Sequence, residues 1–300
     1  MVLKKKKKKK VGQIVLNLFF VIISLIIICP LLTLVGVSLS DEKDIVNYGY
    51  RIIPLRIDLS AYEYIFKNSR AILNAYGVTI FSSTCYMLLS VFLMCMIAYP
   101  LTRKKFKLRG VLSFYLYFTM LFSGGMIPSY ILNTRYLHLG NTIWIHILPG
   151  LISPWYVFMI RTFFQGIPEE IAESVYIDGG TDYTVFFKMI IPLSKPVIAA
   201  VSLFMFLGKW NDWFTSMMYI TDDNLIALQY LLQKIMSNIQ LLQQNSGMAP
   251  SVQQLMGMID IPAESVRMAM AVIVAGPALV VFPFFQKYFV KGMTVGAIKG

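Results

Sequence analysis

The sequence predicts an all-α polytopic membrane protein with six transmembrane helices, and three observations carry that prediction. Of its 300 residues, 57% are hydrophobic and only 14% charged, where a water-soluble domain carries about 25% charged residues. Uncharged runs recur that are long enough for a bilayer core, which takes about 20 residues of helix to cross. The Lys and Arg residues gather on alternate connections between those runs. A mean hydropathy of +0.65 fits the same class.

The first run, Val11 to Leu39, follows the heptalysine Lys4 to Lys10. It exceeds the apolar region of about 7 to 15 residues in a cleavable signal, so it reads as a retained span. Residues 1–13 are then a basic cytoplasmic tail and residues 14–300 a single transmembrane domain, with spans at about 14–38, 72–100, 109–132, 142–164, 191–218 and 267–288. In the third, Gly124, Gly125 and Pro128 suit either a hinge or close helix packing, the commoner use of small residues. The fifth contains Lys209 and Asp212, which either halve it or lie against water or protein rather than lipid. An outer loop, 219–266, is polar and rich in Gln and Met, and loops of that length are functional or mobile.

With the N-terminus cytoplasmic, the inner segments hold 18 of the 27 basic residues and 5 of the 15 acids. Positive charge on that side is the expected bias, and six spans return the C-terminus to it. The formal charge of +12 then records orientation. The heptalysine has two readings, a nucleic-acid arm or electrostatic attachment to anionic lipid headgroups; the second is simpler and makes membrane lipids a partner, with no nucleic acid. Cys29, Cys85 and Cys95 lie in apolar stretches without C-x-x-C spacing, and His138 and His146 stand eight apart with no carboxylate or thiol nearby in sequence. No metal site is expected. No recurring Ser/His/Asp or Cys/His set suggests an enzyme, and no G-x-x-x-x-G-K-[ST] loop is present to hold ATP.

The inner loop 165–190 is different in kind, because it holds all five inner acids. Pro168 suits a first helical turn, and Glu169, Glu170 and Glu173 follow on one face near the positive end of the helix dipole. Ile171, Ala172, Val175 and Tyr176 form an opposing apolar face. Asp178, Gly179 and Gly180 end the helix, since glycine accepts the left-handed conformation found there, and a second helix begins near Tyr183. On these grounds alone the acids either stabilise a helix start and keep the loop soluble, or present a helix-turn-helix knob to a partner.

This loop resembles the EAA loop of permease subunits in binding-protein-dependent ABC importers, whose pattern is E-A-A, three residues, G, and later I-x-L-P. Glu173, Ser174 and Val175 stand at E-A-A, Gly179 at the glycine, and Met189, Ile190, Ile191 and Pro192 at the ending, so Ser and Val replace both alanines, Met the Ile and Ile the Leu. Leu121 to Tyr130 (L-F-S-G-G-M-I-P-S-Y), Asn141 to Gly150 (N-T-I-W-I-H-I-L-P-G), Trp210 to Trp213 (W-N-D-W), Leu228 with Gln229, and the ending K-G-M-T-V-G-A-I-K-G resemble the carbohydrate branch of these permeases, of the maltose-permease type and nearest its lipoprotein-linked oligosaccharide group. The likeness covers roughly Ala71 to Gly300.

The resemblance implies the type I ABC importer permease fold in a bacterial cell membrane. It implies as partners a second homologous permease subunit, two ATP-binding cassette subunits that carry the ATP and Mg, an extracellular solute-binding protein and a carbohydrate, with no cofactor bound by this chain. Glu169, Glu170, Glu173, Asp178, Gly179 and Gly180 become the coupling residues, Glu173 as an anion for the ATPase cleft and Gly179 as the tight turn. For the pathway, Lys209, Trp210, Asn211, Asp212 and Trp213 put polar groups and aromatic faces together in a span, which suits a sugar. The competing reading is structural, with Trp in an interfacial belt and Lys209 paired to Asp212 along the helix. A secondary transporter also needs charges in a span, but it needs no knob and usually shows paired interrupted helices.

Overall fold

The computed structural model describes residues 2–67, 69–244 and 262–297. Residues 245–261 of the expected outer loop, and 298–300 of the ending, lie outside the described residues. The chain divides into two compact units, Met1–Ser69 with Ile235–Gly276, and Arg70–Lys234 with Pro277–Gly300.

In the first unit, α1 (Val2–Ser38) carries the basic tail and the first expected span on one continuous helix. Its apolar stretch Gly12–Ser38 has none of its most apolar window buried within the chain, as suits a helix solvated by lipid. Beyond it lie α2 (Glu42–Tyr48) and α3 (Ser60–Phe66). The backbone of 51–52 crosses α1 closely at Gly36, where a Cβ would collide with the Ile52 carbonyl oxygen. The last helix, α14 (Ala263–Ala297), is capped from a distance. The Glu42 carboxylate accepts the N–H groups of Glu264 and Ser265 at 2.9 and 3.0 Å, satisfying orphan donors of the first turn and opposing the positive end of the helix dipole.

Beside a smaller cluster at Ile145, Ile220 and Ile226, the second unit packs around a large apolar core. Met94, Ala98 and Leu101 of α4 (Ser69–Thr102), Leu116 of α5 (Arg109–Leu121), Val157 and Ile160 of α7 (Pro154–Gln165), and Val201 and Met205 of α11 (Lys195–Trp210) all enter it. So do Ala172 and Val175 of the short helix α8 (Glu170–Ile177).

Among the described residues, two helices are long and apolar enough to cross a membrane, or up to four if each of two bent pairs is one span. The third expected span, 109–132, is such a pair: α5 and the segment Met126–Tyr136, which begins with α6 (Met126–Ile131), meet at 112°. Gly125 sits at φ +87 in the bend, and a Cβ on Gly124 would come no nearer than 3.9 Å to a neighbour, the Pro128 Cβ. These small residues therefore sit at a sharp bend, and neither glycine makes a close helix contact. The expected span 142–164 needs a larger correction. Only a 3₁₀ turn, Ile143–His146, and then α7 are helical there; Gly150 at φ +76 and Pro154 at the helix start divide them. Twelve residues of α7 reach about 18 Å, short of the hydrocarbon thickness.

Two glycines on long helices test this description. Gly36→Val should destabilise the detergent-purified protein by about 1–3 kcal/mol through the clash with Ile52. Gly77→Ala on α4, with nothing within 4 Å of its Cβ, should leave stability equal or slightly higher. Thermal unfolding followed by tryptophan fluorescence reads both, and equal melting of the Gly36 variant and wild type would refute the close approach.

Candidate functional site

The loop 165–190 folds as a compact knob. α7 ends at Gln165, and α8 starts after Glu169, whose carbonyl accepts the N–H groups of Ala172 and Glu173 at 2.9 and 3.1 Å. Glu169, Glu170 and Glu173 are exposed, while Ala172 and Val175 fasten the opposite face to the core. The expected stop is sharp: Gly180 N–H donates to the Val175 carbonyl at 2.8 Å and Gly179 N–H to that of Tyr176 at 3.0 Å. This paired arrangement is the Schellman motif. It needs the left-handed φ of +78 at Gly179, and at Gly180 a Cβ would stand 2.5 Å from Val175 Cγ1. Asp178 caps the helix and is exposed.

Tyr176 departs from expectation. It is not in the apolar seam but exposed, its hydroxyl donating to Asp182 at 2.6 Å. An eight-residue helix turns only Ala172 and Val175 squarely inward, which leaves Tyr176 at the edge. Ile177 is 86% exposed and Tyr183 76%, so the knob offers large apolar side chains beside its acids.

The second candidate region lies at the far end of α11, about 24 Å from its start near the knob. Here the span is halved: α11 ends at Trp210, and a short helix, α12 (Phe214–Tyr219), follows after three residues. A second bend of 77° separates α11 from Asp182–Leu193. Lys209 Nζ lies 2.7 Å from Asp212 Oδ2, with side chains 10% and 19% exposed, and 5.3 Å from the centre of the Tyr86 ring. The other Asp212 oxygen accepts the Thr215 N–H at 3.0 Å in the first turn of α12. Asn211 donates to the Leu207 carbonyl at 2.9 Å and accepts from Gln229 Nε2 at 3.0 Å.

Four of the five residues singled out in the sequence, Lys209, Asn211, Asp212 and Trp213, line a cavity of about 500 Å³. Trp210 does not. It is 2% exposed and packs with Phe206 and Tyr76, at centroid distances of 5.8 and 6.5 Å. The sequence reading missed Tyr86, Tyr156 and Phe204, which complete the aromatic wall from three different helices; Tyr156 stacks on Phe204 at 6.2 Å. Nothing in their own segments distinguishes them from core aromatics. The arrangement can place ring faces on an apolar surface and offer an amide and a carboxylate to hydroxyl groups. Neither histidine lines this cavity, and the His146 ring is buried with Nε2 3.2 Å from the Leu225 carbonyl oxygen.

The family described as binding-protein-dependent transport system inner membrane component matches residues 3–295. Protein LplC of Bacillus subtilis (strain 168) is 36% identical over 275 residues, covering 92% of this chain and 90% of that protein. The polygalacturonan/rhamnogalacturonan transport system permease protein YtcP of the same organism is 34% identical over 282 residues, covering 94% and 96%. A solved structure of a bacterial ABC transporter involved in the import of the acidic polysaccharide alginate is similar with a TM-score of 0.78 and 26% identity, over 93% of this chain and 97% of that one.

The half-buried ion pair makes its own prediction. Lys209→Met strands the Asp212 carboxylate and should cost about 3 kcal/mol of stability, whereas adding Asp212→Asn, which keeps the acceptor for Thr215, should restore most of it. Melting of both variants in detergent reads the pair, and no recovery in the double variant would refute the coupling.

Proposed function

Because this chain belongs to the family of binding-protein-dependent transport system inner membrane components, we propose that it forms half of the translocation pathway of an ATP-driven importer for a carbohydrate, an oligosaccharide in particular. It is the permease subunit of an ABC importer. The family works with a binding protein and an ATPase. The finer assembly proposed is one second homologous permease, two ATP-binding subunits that hold ATP and Mg, and an extracellular solute-binding protein, with both termini of this chain in the cytoplasm.

The observation that carries the coupling role is the knob itself. Its acids and its apolar Ile177 and Tyr183 face outward, its other face is fastened to the core, and its turn depends on Gly179. Such a surface suits a partner that offers a basic, partly apolar cleft. Glu169, Glu170, Glu173 and Asp178 supply the charge, and Gly179 with Gly180 the shape. Closure of the ATPase dimer would press the knob and rock the spans between inward- and outward-facing states. Support for a carbohydrate comes from the aromatic and polar lining of the cavity beside Asn211 and Trp213, and from relatives named for polygalacturonan, rhamnogalacturonan and alginate.

Gly179→Asp puts a bulkier, charged side chain on the left-handed turn that glycine alone adopts without strain, and should cut import per ATP hydrolysed by about tenfold or more while the chain still inserts in the membrane. Glu173→Ala should act in the same direction. Proteoliposomes holding the complex and its binding protein, supplied with a panel of neutral and uronic-acid oligosaccharides, measure this, and wild-type import by an inserted Gly179→Asp complex would sink the coupling role. In the same assay Asn211→Ala and Trp213→Ala should alter affinity or preference within the panel. Unchanged behaviour in both would leave the cavity a structural feature only.

A further inference from the structure

One carboxylate outside the acidic face of α8 joins both arms of the knob to the long helix α4. Asp182 Oδ1 accepts the Tyr176 hydroxyl at 2.6 Å and the Tyr99 hydroxyl at 3.1 Å. The Tyr99 oxygen accepts in turn from Arg103 Nη2 at 2.6 Å, and the Arg103 guanidinium lies 4.6 Å from the centre of the Tyr99 ring. Tyr99 thus stands between a cation and an anion, taking a proton contact from one and giving one to the other. Hydrogen bonds to ionised groups are the stronger kind, and successive ones polarise each other. Tyr99 is buried and packs against Phe186 at 5.1 Å, which fixes its ring.

The three elements involved matter as much as the distances. Tyr176 is in the last turn of α8, Asp182 starts the helical segment Asp182–Leu193, Tyr99 lies in the last turn of α4 and Arg103 directly follows it. Between Tyr176 and Asp182 the chain passes through Gly179 and Gly180, the two residues best able to flex. Partial desolvation of the phenol oxygen and its hydrogen bond to Asp182 raise the Tyr176 phenol above its ordinary range, although the ring itself is exposed.

The geometry points to Asp182 as a positioning residue that, through Tyr176 and Tyr99, latches the two arms of the knob to each other and to α4, so that the knob and this helix move as one body. The inference rests on the coupling role proposed for the knob and adds the route by which its displacement reaches a long apolar helix. The latch thus adds a polar tie across the glycine turn to the apolar contact that Ala172 and Val175 already share with α4 in the core.

The test uses the whole importer complex, with Cys29, Cys85 and Cys95 replaced and spin labels at Lys107→Cys and Lys188→Cys, both exposed positions, leaving the pair of Lys104 with Glu169 intact. The distance between labels should be single and the same in the nucleotide-free complex and in the complex trapped with ATP and vanadate. Asp182→Asn, nearly the same in shape, should lower the ratio of latched to unlatched knob by about tenfold and broaden the distribution in the trapped state. Tyr99→Phe should broaden it as well in the wild-type background, and add nothing when Asp182→Asn is already present. A distribution as narrow in Asp182→Asn as in wild type, or a wild-type distance that changes on trapping, would overturn the latch. Gly179→Asp import separates the two readings: coupled import in that variant removes the coupling role, whereas a narrow Asp182→Asn distribution removes the latch alone.

Discussion

A helix in hydrocarbon satisfies its own backbone, and wherever it stops, the orphaned N–H and C=O groups must find other partners because no water is there to take them. That constraint governs where this charge-poor chain places its polar side chains. At the break after Trp210, Asn211 covers a carbonyl of α11 and Asp212 an N–H of α12. Tyr86 covers the carbonyl of Gly150 at 2.8 Å, where the helical path is lost. Thr79 accepts the N–H of Leu228, the first residue of helix α13 (Leu228–Gln244), and Ser216 that of Ala227 just before it. Each of these is a repair to a broken ladder, and several of the repairs line or adjoin the cavity.

The same economy sets the distance between the two candidate regions. α11 starts beside the knob segment and ends at the cavity, and its inward residues Val197, Val201 and Met205 share a core with Ala172 and Val175 of α8. A well-packed core is stiff. α8 and the helix whose far end carries Lys209 are thus joined through one rigid core, which α4 also enters, and the hydrogen bond from Tyr99 to Asp182 adds a polar tie to α4.

Legibility followed the range of the interactions involved. The stop at Gly179 and Gly180 was readable because a left-handed turn is a property of a few adjacent residues. The halving of the fifth span was readable from Lys209 and Asp212, charges that cannot face lipid. The L-P-G at Leu148 to Gly150 is an equally local signal, but no charge beside it marks a break, and 142–164 reads as one span. The aromatic wall was a different matter: Tyr86, Tyr156 and Phe204 come from three helices and meet only in the folded chain. Trp210 and Trp213 are indistinguishable in type, yet one is core and one lines the cavity, because the helix ends between them. Asp182 was counted among the inner acids without its role, since its partners Tyr99 and Tyr176 lie 83 and 6 residues away.

The pairing of Lys209 with Asp212 has an electrical consequence. A lone charge carried through part of a membrane potential exchanges about 2.3 kcal/mol per 100 mV for a full crossing. Here the positive charge has its counter-charge 2.7 Å away on the same short stretch of chain, so any rocking of that stretch displaces a dipole and no net charge. A wall built this way exchanges far less energy with a membrane potential than one carrying an unpaired lysine would.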